Sequence, residues 1–398
     1  LAAALLAALP VASGAAEPPQ EAVAARSFAF EETLDAAFAT GDFVGLAVAV
    51  VRGDETTFLK TYGVREVGGA PVTPATVFRI ASLSKAFAAS LAALAADDGV
   101  VSLDAGAAAY APELAFPGGA HRKLTLAHVL SHRTGLPPNA YDNLLEEGEA
   151  PEAILAKYKD VALVCPVGAC YAYQNIAFDI VGRALSSVYG KPFGDLVRER
   201  LFVPLGMETA SVGEEALRAG GEVATPHRRD RIKGSSPARY GPWRPVAVKS
   251  AYYRIPAAGG VNASILDMAE WLKAQMGARA EVLPPDVLAL IHTPKVATPA
   301  ETARIRPVST RYSQTQYGYG WRIYAYDGKP VITHSGTVDG YAAQIAFLPG
   351  RNVGIVILSN AQSRRFWRIL PHFLDIELGL DREDWLALKE GAAKAGSP

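Results

Sequence analysis

Ser82 and Lys85 stand in the run Ser82-Leu83-Ser84-Lys85. On a helix a three-residue offset puts both side chains on one face, near enough for an amine to touch a hydroxyl. A serine hydroxyl is a weak nucleophile until a neighbouring base or cation shifts the local proton affinities. A helix N-terminus adds backbone N–H groups and a dipole that favour the negative charge of a tetrahedral intermediate. This chemistry is acyl transfer, although Ser82 taken alone also reads as a helix N-cap. Tyr173-Gln174-Asn175 forms a second cluster. Its phenol acts as a base only where a cation such as Lys85 stabilises the anion, and Asn175 offers a donor and an acceptor to a substrate's amide. The plainer reading is a packed ring beside an Asn cap. In the third cluster, His334-Ser335-Gly336-Thr337, the glycine lets a substrate approach the backbone, where an N–H completes an oxyanion hole.

Three kinds of element must position these groups. From Ser82 the chain reads SLSKAFAASLAALAADDG, which predicts a long buried helix with Ser82 in its first turn and Gly99 as its stop. The apolar run around Arg52-Gly53-Asp54 predicts two antiparallel strands. From Tyr317 short β-rich runs separated by Asp-Gly and Pro-Gly predict an antiparallel meander, closed by the helix SRRFWRILPHFLDIELGL. Residues 105–225 read as helices broken by loops, and residues 226–257 as a long surface excursion that walls the site. The expected class is therefore α+β, an antiparallel sheet flanked by helices, with an α-rich inserted subdomain. The expected divisions are a leader and linker over 1–27, a sheet domain over 28–104 and 226–380, the insertion over 105–225 and a tail over 381–398.

Half of the 398 residues are hydrophobic, and 39 Lys+Arg stand against 40 Asp+Glu, which excludes a disordered chain and a basic nucleic-acid binder. The expected partner is a small molecule or peptide substrate; the oligomeric state is not legible. Leu1–Ala16 reads as the apolar core and cleavage zone of a secretory signal, so an exported, periplasmic or secreted protein is expected, with no transmembrane span in the mature chain. Export also favours a disulfide between Cys165 and Cys170, closing a small ring worth about 2 kcal/mol by loop entropy. His128 and His132 have a spacing that suits zinc, but Val129 stands where the metalloprotease pattern needs Glu. No metal and no cofactor are expected, and neither a G-x-S-x-G elbow nor a phosphate loop is present.

The order Ser-x-Ser-Lys, Tyr-x-Asn, His-x-Gly resembles the class C β-lactamase superfamily, which includes serine D-Ala-D-Ala carboxypeptidases, D-aminopeptidases and some carboxylesterases. FRIASLSKAF, LTLAHVLSHRTGLP, LFVPLGM, PAAGGVNASILDMAEWL, YGYGW and HSGTVDGYAAQIAFLP extend the likeness over about residues 30–378. The resemblance implies a β-lactamase/DD-peptidase-like fold. It also implies Ser82 as the acylated nucleophile, with Lys85 and Tyr173 sharing proton transfer and either one serving as the base. Asn175, His334 and Gly336 would bind substrate, and the N–H groups of Ser82 and Thr337 would form the oxyanion hole.

One departure bears on specificity. Class C β-lactamases usually carry Lys-Thr-Gly where this chain has His334-Ser335-Gly336. An ordinary imidazole titrates near pH 6.5, so carboxylate recognition is expected to be weak at neutral pH and to strengthen as the pH falls. The expected activity is hydrolysis of an amide, β-lactam or D-amino-acid peptide bond through an acyl-serine. A carboxylesterase on the same fold, or a penicillin-binding sensor that acylates without turnover, are the alternatives.

Overall fold

A computed structural model describes residues 19–236, 239–306, 309–381 and 383–388. The expected leader at 1–16 lies outside the described residues. Strands β1 (Gly45–Arg52), β2 (Glu55–Gly63), β3 (Val296–Ala297), β4 (Tyr312–Tyr317), β5 (Arg322–Tyr326), β6 (Lys329–Val338), β7 (Tyr341–Leu348) and β8 (Val353–Ser359) form one sheet. Their order is β2-β1-β8-β7-β6-β5-β4-β3, and every pairing is antiparallel. The N-terminal hairpin thus joins the C-terminal meander through β1 and β8, with Val48 opposite Ile357. Among the described residues, 105–225 contribute no strand to this sheet.

Period-two alternation sends neighbouring side chains of β1 to opposite faces, and both faces are buried. Ala47, Ala49 and Val51 enter one core; Leu46, Val48 and Val50 enter the other. That is why β1 reads as a continuous apolar run rather than as an alternating one. On the first face lie the helices α2 (Ser84–Asp97) and α6 (Ile265–Gln275); on the second lie α1 (Gln20–Ala39) and α7 (Phe366–Leu378). Between them in sequence come α3 (Leu126–Leu130), α4 (Asp142–Glu146) and α5 (Ile180–Tyr189).

α2 is apolar nearly all round because it is surrounded: every residue from Ser84 to Ala95 is buried. Phe87 stacks on Trp271 of α6 at 3.8 Å between ring centroids and meets Phe202 edge-on. The meander turns as its sequence predicts, with Asp327-Gly328 and Asp339-Gly340 all at positive φ. Two segments differ from expectation. Residues 20–27, read as linker, are the opening turns of α1, whose Phe30 and Leu34 pack under the sheet. Trp385 and Leu386, read as tail, are buried, the Trp385 indole donating to Asp375 at 2.7 Å. Apolar residues too sparse to show a period in sequence are captured here by a face that already exists.

Candidate active site

The start of α2 is shaped by the residues before it. Ala81 adopts φ 50°, a left-handed conformation that costs a non-glycine residue about 1–2 kcal/mol. It turns the chain from the short strand Phe78–Arg79 into a tight turn, Ala81–Leu83, and then into α2. Ser84 Oγ donates to the Ala81 carbonyl at 2.6 Å and accepts from the Val261 N–H at 3.0 Å, tying this turn to the strand Val261–Ala263. Leu83, not Ser82, is the N-cap of α2, and no side chain caps it. The two serines of the motif are therefore distinct: Ser84 is a staple, and Ser82 is half-buried with its hydroxyl toward Lys85.

Lys85 has no exposed surface. Its Nζ lies 3.3 Å from Ser82 Oγ, 2.8 Å from Asn175 Oδ1 and 2.9 Å from the Ala258 carbonyl oxygen. Burial drives its pKa down to about 7; Asp142 and Asp179 pull it back up while Arg322 pushes it further down. Tyr173 lies with its ring 4.7 Å from Lys85 Nζ, and the Ser82 side chain near its hydroxyl favours the phenolate. Burial pushes the phenol above its ordinary pKa, against the opposing pull of Arg322, whose guanidinium sits 5.2 Å from the ring centre.

Tyr173-Gln174-Asn175 precedes the turn Ala177–Asp179 and α5 as a loop, and Asn175 caps neither. Its Oδ1 accepts from Lys85 and its Nδ2 donates to Asp142 Oδ2 at 2.6 Å, so one amide N–H remains for a ligand. Asp142 opens α4 and is pushed up by burial, and its Oδ1 is buried without a hydrogen-bond partner. Asp179, raised by burial to about 7, accepts the Ala257 N–H at 2.9 Å, next to the carbonyl that holds Lys85.

β6 outruns its neighbour. Its pairing with β5 ends at Thr333 opposite Arg322, whereas its pairing with β7 continues to Val338. The edge from His334 to Val338 therefore faces the Ser82 turn instead of a strand. Gly336 makes this approach possible: a Cβ there would stand 2.5 Å from the Ile80 oxygen and 2.9 Å from the Ser82 nitrogen. Thr337 beside it is exposed.

His334 departs from expectation. It is fully buried rather than lining the site, with Nε2 3.1 Å from the Tyr317 hydroxyl and Nδ1 2.9 Å from the Ser335 carbonyl. Burial, Arg322 and Lys85 hold its pKa well below the ordinary imidazole value. An imidazole that gains charge near pH 6.5 for a substrate carboxylate does not describe it, because a proton there would be desolvated beside two cations.

Cys165 and Cys170 are disulfide-bonded, with Cα atoms 6.2 Å apart. Their ring is pinned to the 133–135 segment by Gly168 N–H to Arg133 O and Val164 N–H to Gly135 O, both 2.8 Å, and leads into Tyr173. His128 and His132 do not converge: His128 closes a capping box with Thr125, and His132 Nδ1 accepts the Gln174 N–H at 3.1 Å. No group of three metal-ligating side chains occurs among the described residues. The 226–257 excursion ends against the site: Lys249 N–H and Arg79 both bond Asp339, and Tyr252 bonds Glu146. Glu146, Glu214, Lys249 and Arg254 line a cavity of about 440 Å³ there. Asp142, Asp179 and Arg322 escaped sequence reasoning because no local spacing links them to Ser82, while His132 was read only as half of a zinc spacing and Tyr317 only as the start of the meander. Tyr317 opens the YGYGW run and Arg322 follows it, and that run was the available signal.

The family profile described as Beta-lactamase matches residues 30–375. Unguisins hydrolase ungD' of Aspergillus campestris is 26% identical over 86% of this chain, which spans 64% of that relative's length. Penicillin-binding protein 4 of Amycolatopsis lactamdurans is 26% identical over 83% of this chain and 84% of its own. The D-alanyl-D-alanine-carboxypeptidase/endopeptidase AmpH of Escherichia coli is 25% identical, over 81% of each chain. The octameric penicillin-binding protein homologue from Pyrococcus abyssi superimposes with a TM-score of 0.75 at 23% identity, covering 93% of this chain and 81% of that one.

Proposed function

Because the chain belongs to the beta-lactamase family, whose members are serine hydrolases, we propose that it cleaves an amide, β-lactam or D-amino-acid peptide bond through an acyl-Ser82 intermediate. The carrying observation is the set of partners around Lys85 Nζ. Two of the three, Asn175 Oδ1 and the Ala258 carbonyl, can only accept; Asn175 is fixed that way round because its Nδ2 faces a carboxylate. A neutral amine gives its two N–H bonds to them and turns its lone pair to the Ser82 hydroxyl. With a pKa of about 7, that neutral form is abundant at physiological pH. Lys85 is then the general base, and Tyr173, kept protonated by burial, is the donor to the leaving group.

In acylation the Ser82 oxygen bonds the carbonyl carbon while its proton passes to Lys85. The tetrahedral oxyanion lies between the N–H groups of Ser82 and Thr337. As the bond to the leaving nitrogen or oxygen breaks, Tyr173 protonates it and is reprotonated from Lys85. Water repeats the sequence to release the acid. Asn175 offers its remaining N–H to the substrate, beside the edge opened by Gly336.

Peptide bonds of D-amino acids are favoured by one relative, named a D-alanyl-D-alanine-carboxypeptidase/endopeptidase, and hydrolysis more broadly by another, named an unguisins hydrolase. The neutral, buried His334 favours substrates without a carboxylate at that position, which keeps esters as the second reading. Export belongs to the same proposal, and no helix among the described residues is long and apolar enough to cross a membrane. The test is a panel of nitrocefin, a D-Ala-D-Ala peptide and p-nitrophenyl esters with burst analysis. Peptide turnover supports the proposal, ester-only turnover replaces it with the esterase, and a burst without turnover replaces it with the sensor.

A further inference from the structure

We propose that Tyr317 and His132 are positioning residues, which with His334 form a one-way hydrogen-bond chain holding the Tyr173–Asn175 loop in register with the Gly336 edge of β6. The chain runs from the Gln174 N–H to His132 Nδ1 at 3.1 Å, from His132 Nε2 to the Tyr317 hydroxyl at 3.1 Å, from that hydroxyl to His334 Nε2 at 3.1 Å, and from His334 Nδ1 to the Ser335 carbonyl at 2.9 Å. Both ends are backbone groups and so have fixed polarity. The Gln174 N–H can only donate, so His132 Nδ1 is bare and the proton of the neutral ring is on Nε2. The Ser335 oxygen can only accept, so His334 carries its proton on Nδ1 and leaves Nε2 bare. One hydroxyl between them completes the line, accepting from His132 and donating to His334. Every donor meets an acceptor in this arrangement and in no other that keeps both rings neutral.

The chain joins elements that are far apart in sequence. Gln174 lies between Tyr173 and Asn175, His132 follows α3, Tyr317 ends β4, and Ser335 lies between His334 and Gly336 on β6. His132 sits at φ 56°, and its carbonyl also holds the Ala172 N–H at 2.9 Å, so the loop that carries Tyr173 is gripped on two sides. The groups facing the chain are Lys85 from α2, Arg322 from β5 with its partner Glu301 from the helix Pro299–Ile305, and Tyr171 and Tyr173 from the loop. Their net effect opposes a proton on either ring: Glu301 is already engaged by Arg322, whereas Lys85 and Arg322 both repel the charge. Protonating His132 would also aim an N–H at the Gln174 N–H. That the two ends carry reacting groups rests on the function proposed above, whereas the direction of the chain does not.

Nitrogen-15 long-range imidazole spectra of the full chain test the direction without any substrate. The expected result is one buried ring protonated on Nε2 (His132) and one on Nδ1 (His334), identified as the two whose signals move in Tyr317→Phe. Neither should titrate between about pH 8 and about pH 5. His334 protonated on Nε2, or either ring titrating near the ordinary value, overturns the chain. In Tyr317→Phe, both rings lose a hydrogen-bond partner, so the fixed tautomer of each is released while burial, Arg322 and Lys85 still oppose a proton on His334. Turnover of whichever substrate the panel identifies should fall about 10- to 100-fold in kcat, with KM changed by a smaller factor, because the chain aligns the Tyr173 hydroxyl and the Gly336 edge for the transition state while Asn175 and that edge still meet the substrate. Unchanged kcat with only a lowered Tm would show that the ring merely fills the core. Failure to find any substrate would overturn the proposed function while the tautomer result stood.

Discussion

Lys85 brings a destabilising burial into the fold, as the base role proposed for it requires. Its pKa is about 7 in the folded chain against 10.5 when solvated, so between those values the unfolded chain binds a proton that the folded chain does not. Stability is therefore expected to rise with pH across that window, by up to about 1.4 kcal/mol per pH unit from this residue. Lys85→Met should lack that rise, and the difference in unfolding free energy between wild type and variant, measured from about pH 7 to about pH 10, checks it. A difference that does not change with pH would mean that Lys85 keeps its proton throughout, and with it would go the base assignment. Ser82→Ala is expected to abolish turnover while leaving Tm within about 1 kcal/mol equivalent of wild type, because its hydroxyl caps nothing. A fluorophosphonate should label wild type once, on the Ser82 peptide, and the variant not at all. That Ser82, Lys85 and Tyr173 come together was legible because short motifs encode them. Asp142, Arg322 and the burial of His334 were not, because a pKa is set by everything that surrounds a group, and those surroundings are assembled from distant segments.

At the scale of elements, two glycines set the distance between the sheet and α2. Gly320 holds φ 71°, and a Cβ there would stand 2.6 Å from the Lys85 carbonyl and 2.7 Å from Ala89 Cβ. Gly336 brings β6 equally close to the Ser82 turn from the other side. Gly320→Ala is expected to cost about 1–3 kcal/mol in denaturant unfolding through overpacking and backbone strain. Gly336→Ala should chiefly depress kcat/KM, by about 100-fold or more, because it pushes the Ser82 N–H off the oxyanion position. If Gly336→Ala kept full activity, the edge of β6 would have no part in the reaction. The turns of the meander were legible because Asp-Gly pairs have a conformation of their own. The start of β4 at Tyr312 was missed because YSQTQY is mostly polar: Thr315 is buried against the hydroxyls of Thr298 and Thr302 and Tyr317 against His132 and His334, so the apolar alternation that marks a strand is blurred.

At the scale of the whole molecule, the sheet holds two cores apart, and the candidate site sits at the end of the first, where a buried polar network replaces apolar packing. Three imidazoles in that core have depressed affinities for protons: His132 and His334 through burial and the two nearby cations, and His292 through burial alone, to about 3. Unfolding releases each to an ordinary value near 6.5, so below that pH the unfolded chain takes up protons that the folded chain refuses. Each such group removes up to about 1.4 kcal/mol per pH unit as the pH falls. Two carboxyls work in the opposite sense. Asp179, raised to about 7, holds a proton in the folded state where the solvated group, with pKa 3.8, does not, and so gains stability as the pH falls through the same range; Asp142, also raised by burial, acts in the same direction. His128 and His227, also lowered by burial, add to the losses, so proton-refusing imidazoles outnumber the raised carboxyls and the fold is expected to weaken from about pH 6.5 to about pH 5 by roughly 1 kcal/mol per pH unit or more. Denaturant titrations at about pH 7, 6 and 5 measure it. In His292→Phe, whose ring contacts with Trp321 and Phe347 keep an aromatic partner, the slope should flatten, because a proton-refusing group has been removed from the balance without touching the site. A wild-type midpoint that rose toward pH 5 would mean that the carboxyls dominate, and that the buried imidazoles already carry protons at neutral pH.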